Sequence, residues 1–227
     1  MRAAAVLFDM DGILVDSEPV WYDVEAALVE RLGGVWGKQH QAQCIGGTVD
    51  ATCRYIIELT GSNRTPDEIR AELLTAMAQH FTESLVIHDG ALDLVDAVRA
   101  RGAGTALVTS SYRALVEPAL GWLGRDRFDV TVTGDEVTRG KPDPEPYRSA
   151  CEALGVAPAR TVVLEDALSG VRSAEAAGCC VVAVPSVAPI PATPRRRVVG
   201  SVREIDPDWL LDLPSSLAGD GPEHVEP

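Results

Sequence analysis

Two kinds of hydrophobic pattern alternate along this chain. Ala3-Ala4-Ala5-Val6-Leu7 is apolar, too short for a helix, and gives way to Asp9, which predicts a strand buried on both faces. Thr105-Ala106-Leu107-Val108, Thr161-Val162-Val163-Leu164 and Val181-Val182-Ala183-Val184 repeat that pattern. Helical spacing fills the gaps: within Ala91 to Arg101, Leu92, Val95 and Val98 fall three apart on one face. Strands alternating with helices predict an α/β fold built on a parallel sheet.

The stretch from Ser17 to His88 breaks the rhythm, with helical spacing and no convincing buried strand. Val20, Val24, Leu28 and Leu32 recur every four residues and stop at Gly33-Gly34. A later helix opens at Thr65-Pro66-Asp67-Glu68, where Thr65 can cap, Pro66 suits the first turn and Glu68 can close a capping box. Its apolar face runs through Ile69, Leu73, Met77 and Phe81. The predicted organisation is a core formed by residues 1–16 and 89–213, a helical insert over 17–88, and a polar, frayed tail over 214–227.

Candidate chemistry gathers where the predicted strands end. In Phe8-Asp9-Met10-Asp11-Gly12 two carboxylates stand at the end of a buried strand, which is costly unless a cation offsets the charge. By itself the string reads equally well as an acidic turn. Thr109-Ser110-Ser111 leads into a helix over 112–120, so its hydroxyls and free amides suit either an anion or an ordinary cap. Gly140-Lys141-Pro142-Asp143-Pro144 holds one of two lysines among twenty basic residues. Where arginine is so preferred, a lysine suggests the need for a compact ammonium, although a surface turn would also carry one. Glu165-Asp166 offers oxygen ligands for a hard cation, or a capping carboxylate for the helix over 167–177 that Gly178 closes. All four sets lie at strand carboxyl ends, where an open parallel sheet forms its ligand crevice. Four unrelated structural readings are a poor account of that coincidence.

Composition narrows the partners. A formal net charge of −14 argues against nucleic acid and anionic membrane surfaces. Arg195-Arg196-Arg197, in a Pro-rich stretch, reads as a solvated loop without a function. No apolar run suggests a membrane span or a signal peptide. Five cysteines, an odd count without CxxC spacing, fit a reducing cytoplasm, with Cys179-Cys180 as small buried hydrophobes. Four histidines without paired spacing give no zinc site.

The order DxDG, Thr-Ser-Ser, GKPDP and LEDALSG resembles the haloacid dehalogenase-like hydrolase superfamily, specifically its phosphatases and β-phosphoglucomutase relatives, from Val6 to about Val184. The resemblance implies a three-layer Rossmann-like core with a helical cap after the first strand. It implies a Mg²⁺-dependent phosphatase that hydrolyses a small-molecule phosphomonoester through an aspartyl phosphate. Asp16-Ser17-Glu18-Pro19 looks like the run found in sugar- and polyol-phosphate phosphatases of the family, while from the residues alone it is a helix start capped by Asp16 or Ser17.

Carried over residue by residue, Asp9 is the nucleophile and Asp11 the general acid and base. Thr109 and the Ser110 amide hold phosphate oxygens, and Lys141 neutralises charge between the phosphoryl group and Asp9. The resemblance puts Mg²⁺ on the Asp9 carboxylate, the Asp11 backbone carbonyl and Asp166, with Glu165 close by or acting through water.

The family's mutases carry a histidine in the first cap helix and an arginine after a Gly-x-Ser-Arg string. The corresponding positions here are Trp21 and Val49, the latter in Gly46-Gly47-Thr48-Val49, with Arg54 as a substitute if the register shifts. Hydrolysis is therefore expected over a β-phosphoglucomutase-like transfer. Dehalogenation needs no metal and its enzymes lack a counterpart of Asp11. A signalling receiver puts its acidic pair before the phospho-accepting aspartate, the reverse of the order here, and a silent binding module fits badly with competent residues at every motif position. The oligomeric state and the substrate stay open.

Overall fold

A computed structural model describes residues 2–45, 47–186, 188–193 and 195–219. Six parallel strands form one sheet: β1 (Ala5–Phe8), β2 (Gly104–Val108), β3 (Val130–Val132), β4 (Thr161–Glu165), β5 (Cys180–Ala183) and β6 (Arg196–Val198), in the order β3-β2-β1-β4-β5-β6. Side chains alternate between the two faces of a strand, and both faces here are covered, which is why the central strands read as unbroken apolar runs. Val6 and Phe8 enter one core, whereas Ala5 and Leu7 enter the other.

Helices complete the outer layers. On the Phe8 side lie α5 (Ala91–Ala100), α6 (Arg113–Leu123) and α9 (Pro207–Gly219); on the Leu7 side lie α7 (Glu145–Ala153) and α8 (Leu168–Ala177). The result is a three-layer, Rossmann-like α/β fold. The chain runs outward from β1 through β2 to β3, then returns to place β4 on the other flank of β1. That reversal opens a crevice at the carboxyl ends of β1 and β4.

Between β1 and β2 the chain is helical: α1 (Glu18–Arg31), α2 (Lys38–Cys44), α3 (Val49–Thr60) and α4 (Pro66–Glu83). Thr65 and Glu68 form a reciprocal capping box at the start of α4. Ile69, Leu73, Met77 and Phe81 are its buried stripe. The two strands of chain that enter and leave this segment are paired, with Asp16 N donating to Val86 O at 2.9 Å and His88 N to Leu14 O at 2.9 Å. Trp122 Nε1 donates to Phe81 O at 2.7 Å, tying α6 to the end of α4.

Three expectations need correction. Strand β3 escapes a search for apolar runs because it is three residues long with a central threonine. Arg195-Arg196-Arg197 does not form a solvated loop: Arg196 opens edge strand β6, is buried, and grips both carboxylate oxygens of Glu175 on α8 at 2.8 Å. The tail does not begin at 214, because α9, seated on the sheet by Leu210, Leu211 and Leu213, continues to Gly219. Residues 220–227 lie outside the described residues, as does Gly46.

Candidate active site

The candidate residues arrive from the ends of β1, β2 and β4 and from the connection that follows β3. Asp9 follows β1 and continues the ladder by donating its amide to Leu164 O at 3.1 Å. Thr109 follows β2, its amide bonded to Val132 O at 3.0 Å. Glu165 ends β4, Asp166 is the next residue, and Lys141 stands in the connection between β3 and α7. Asp9, Asp11, Thr109, Ser110, Lys141, Glu165 and Asp166 all line one cavity of about 400 Å³.

At its floor Lys141 Nζ lies 2.7 Å from Asp9 Oδ1, 2.6 Å from Glu165 Oε1 and 2.9 Å from Val108 O. Three acceptors satisfy the three ammonium protons. Tyr147 on α7 donates its hydroxyl to the same Glu165 oxygen, and its ring lies under Lys141 Nζ, 5.0 Å from the centroid. Burial alone would push the Lys141 ammonium down, but the carboxylates of Asp9 and Glu165 outweigh it and hold the lysine protonated.

Asp11 is oriented from three sides. It accepts Ser17 Oγ at 2.5 Å on one oxygen, and Ser111 Oγ at 2.8 Å and Thr109 Oγ1 at 3.2 Å on the other. Ser17 stands at the start of α1 yet caps nothing, since its hydroxyl is given to Asp11. Ser110 is exposed on the cavity wall, and Thr109 Oγ1 accepts the Ser111 amide at 2.9 Å.

Asp9, Glu165 and Asp166 each bring a carboxylate oxygen within 4.8 Å of the others. Burial pushes the Asp9 carboxyl well above its usual range; Lys141 opposes that, and Glu165, Asp166 and Asp11 add to it. Asp166 is pushed up to about 7 by burial and then by Glu165. Such crowding of hard oxygen donors fits a divalent cation, which would offset the repulsion. Glycines make the crowding sterically feasible. A Cβ on Gly12, whose φ is +82°, would fall 2.1 Å from Asp166 Oδ2, and one on Gly170 would fall 1.8 Å from Glu165 Oε1. Asp11 stands apart from the three crowded carboxylates, its side chain turned to the hydroxyls of Ser17, Thr109 and Ser111.

The far wall belongs to the helices between β1 and β2. Trp21 and Val49 line the cavity. Arg54 is exposed and does not. Tyr22 and Lys38 line a separate shallow depression, and His40 stacks on Trp36 at 5.5 Å between centroids. Sequence reasoning missed Tyr147, the bond from Ser111 to Asp11, and Ser186, which donates to Asp166 Oδ2 at 2.5 Å. Only Ser111, beside Thr109 and Ser110, carried a local signal.

The family model for haloacid dehalogenase-like hydrolases matches residues 6–184. Validoxylamine A 7'-phosphate phosphatase of Streptomyces hygroscopicus subsp. limoneus is 35% identical over 76% of this chain and 81% of its own. Hexitol phosphatase A of Escherichia coli K12 is 33% identical over 84% and 87%. The crystal structure of CbbY from Rhodobacter sphaeroides in complex with phosphate superimposes with a TM-score of 0.82 at 25% identity, covering 92% of this chain and 99% of that one. Among the described residues no helix is long and apolar enough to cross a membrane. With its crevice at the β1/β4 reversal and its relatives named as phosphatases, the chain belongs to the haloacid dehalogenase-like hydrolases and is a phosphoric monoester hydrolase.

Proposed function

We propose that this protein hydrolyses a small sugar or polyol phosphate through an aspartyl phosphate, with the helices over 17–88 acting as a cap over the site. The observation that carries the reading is the buried Lys141 ammonium bridging Asp9 and Glu165 beside an Asp11 fixed by hydroxyls. A cavity of about 400 Å³ suits one small substrate.

An Asp9 carboxylate oxygen attacks phosphorus while the bond from phosphorus to the leaving oxygen breaks. Asp11, as the acid, gives that oxygen its proton. The resulting Asp11 carboxylate then takes a proton from water, whose oxygen attacks the aspartyl phosphate and returns Asp9 as phosphate departs. Thr109 Oγ1 and the Ser110 amide hold peripheral phosphoryl oxygens, and Lys141 balances charge between them and Asp9. Asp9, Asp166 and the Asp11 carbonyl would hold Mg²⁺, which when bound neutralises charge on the transferring group. Glu165 orients Lys141 and stands beside the metal position.

A mutase has to hold a second phosphate. Among the described cavity residues Lys141 is the sole Lys or Arg, and it is committed to Asp9 and Glu165.

The test is phosphate release from hexose and hexitol phosphates with Mg²⁺ or with a chelator, using the parent and Asp9→Asn, with glucose 1-phosphate isomerisation assayed alongside. Release should require Mg²⁺ and vanish in Asp9→Asn. Undiminished release by that variant would refute the nucleophile, and isomerisation without net release would refute hydrolysis.

A further inference from the structure

Glu25 is a buried acid that the phosphoryl chemistry above leaves unused. It lies on α1 among Val24, Leu28 and Val29, is 3% exposed, and lines the same cavity as Asp9. Its Oε2 has no hydrogen-bond partner among the described residues. Native interiors seldom leave a carboxyl oxygen unpaired, and a leucine at this point of the helix would carry no such penalty. The carboxyl therefore calls for a partner that the chain does not supply.

Its surroundings define that partner. Glu18, two turns earlier on α1, lines the same wall and accepts from Gln41 Nε2 at 3.3 Å. Burial and then Glu18 push the Glu25 carboxyl up to about 8, so no cation stabilises it. Lys141 is already spent on Asp9 and Glu165, and Arg54 is exposed and does not line the cavity. A carboxylate or second phosphate on the leaving group would find no Lys or Arg on this wall among the described residues. Among the described residues of this wall, the start of α3 is what would favour an anion: Thr48 Oγ1 accepts the Ala51 amide and Val49 lines the cavity.

We infer that Glu25 is a specificity residue: it accepts a hydrogen bond from a hydroxyl or amino group on a leaving group that carries no second anion. The inference rests on the phosphatase reading and narrows its substrate class. A site built around a polar partner discriminates strongly against analogues that lack it, because the buried group is then left unpaired.

The test compares kcat/KM on sorbitol 6-phosphate, glucosamine 6-phosphate, phosphoglycolate and p-nitrophenyl phosphate for the parent, Glu25→Gln and Glu25→Leu. The expected result is that the parent prefers sorbitol or glucosamine phosphate to phosphoglycolate. Glu25→Leu lowers the ratio of that preferred activity to p-nitrophenyl phosphate hydrolysis by about tenfold or more, and Glu25→Gln, which keeps an acceptor oxygen and the side-chain volume, lowers it less. Whichever of the two donors suffers more identifies the group read. A ratio unchanged in both variants, or a parent preference for phosphoglycolate, overturns the inference. Should Glu25→Leu not fold, Glu25→Ala takes its place, and an unchanged ratio in that variant overturns the inference. Absence of p-nitrophenyl phosphate hydrolysis in the parent is a different failure, that of the phosphatase reading itself.

Discussion

The Lys141 ammonium stands 2.7 Å from the Asp9 carboxylate, with the lysine side chain 4% and the aspartate side chain 9% exposed. Solvent contributes little at that depth, so the pair depends on its own geometry. Lys141→Ala should lower kcat by two orders of magnitude or more, on the order of 3 kcal/mol of barrier, with a smaller change in KM. Stripping one partner from a buried ion pair typically costs about 3–5 kcal/mol, so the chelated variant should also melt well below the chelated parent. Steady-state kinetics and thermal melts with and without Mg²⁺ check both; a variant that changes KM alone would contradict the assigned role.

Gly12 sits where backbone and site chemistry make the same demand. Its φ of +82° disfavours any L side chain, and a Cβ there would fall 2.1 Å from Asp166 Oδ2. Gly12→Ala should displace Asp166 and weaken Mg²⁺ activation at least tenfold, while costing about 1–3 kcal/mol of stability. Mg²⁺ titration of turnover reads the first effect. A normal Mg²⁺ response in a folded variant would remove Asp166 from the metal assignment.

Glu25 should leave a mark on stability as pH changes. Its carboxyl rises from an ordinary 4.5 to about 8 on folding, through burial and then Glu18. The folded chain therefore binds this proton more tightly than the unfolded chain, and the stabilisation is lost as pH climbs from about 4.5 towards about 8. Of its titratable neighbours, Glu18 is itself raised by burial and then by Asp11 and is common to both proteins, and Cys44, pushed up by burial, stays neutral over that window. Glu25→Gln removes the titration, so its melting temperature should gain on the parent between about pH 5 and about pH 8. A constant difference across that range would contradict the burial of the carboxyl.

The Arg196–Glu175 pair fastens the last strand. Arg196 also donates to Pro191 O at 2.9 Å, so one guanidinium holds an edge strand, a helix and the loop before it. Arg196→Ala should cost about 2–4 kcal/mol, read by urea unfolding, with kcat near the parent value below the new melting transition. A loss under about 0.5 kcal/mol would reduce the pair to an ordinary surface contact.

Four strands were legible because burial on both faces leaves no room for polar residues, so Val6, Leu107, Val163 and Val182 sit in unbroken apolar runs. Strands β3 and β6 flank the sheet, where Thr131 and Arg197 can stand on a less covered face, and the signal disappears. The seven candidate residues were visible for a related reason: charged and hydroxylic groups abutting buried strands are out of place unless they have work to do. Tyr147 and Glu25 carried no such mark. One is an aromatic residue and the other an acid, each in an amphipathic helix where either is ordinary, and their significance depends on Glu165 and on a cavity wall assembled from distant segments. Ser17 was misread as a helix cap because its hydroxyl had two plausible acceptors, and sequence distance favoured the wrong one.

The near absence of lysine has a practical corollary for surface chemistry. Of the two lysine side chains, Lys38 is exposed on α2, whereas Lys141 is enclosed and held protonated by Asp9 and Glu165. An acylating reagent needs a neutral, reachable amine, so among the side chains Lys38 alone would be modified. One conjugation point for a dye, a resin or a tether is thus supplied by the same enclosure that keeps the buried ammonium charged.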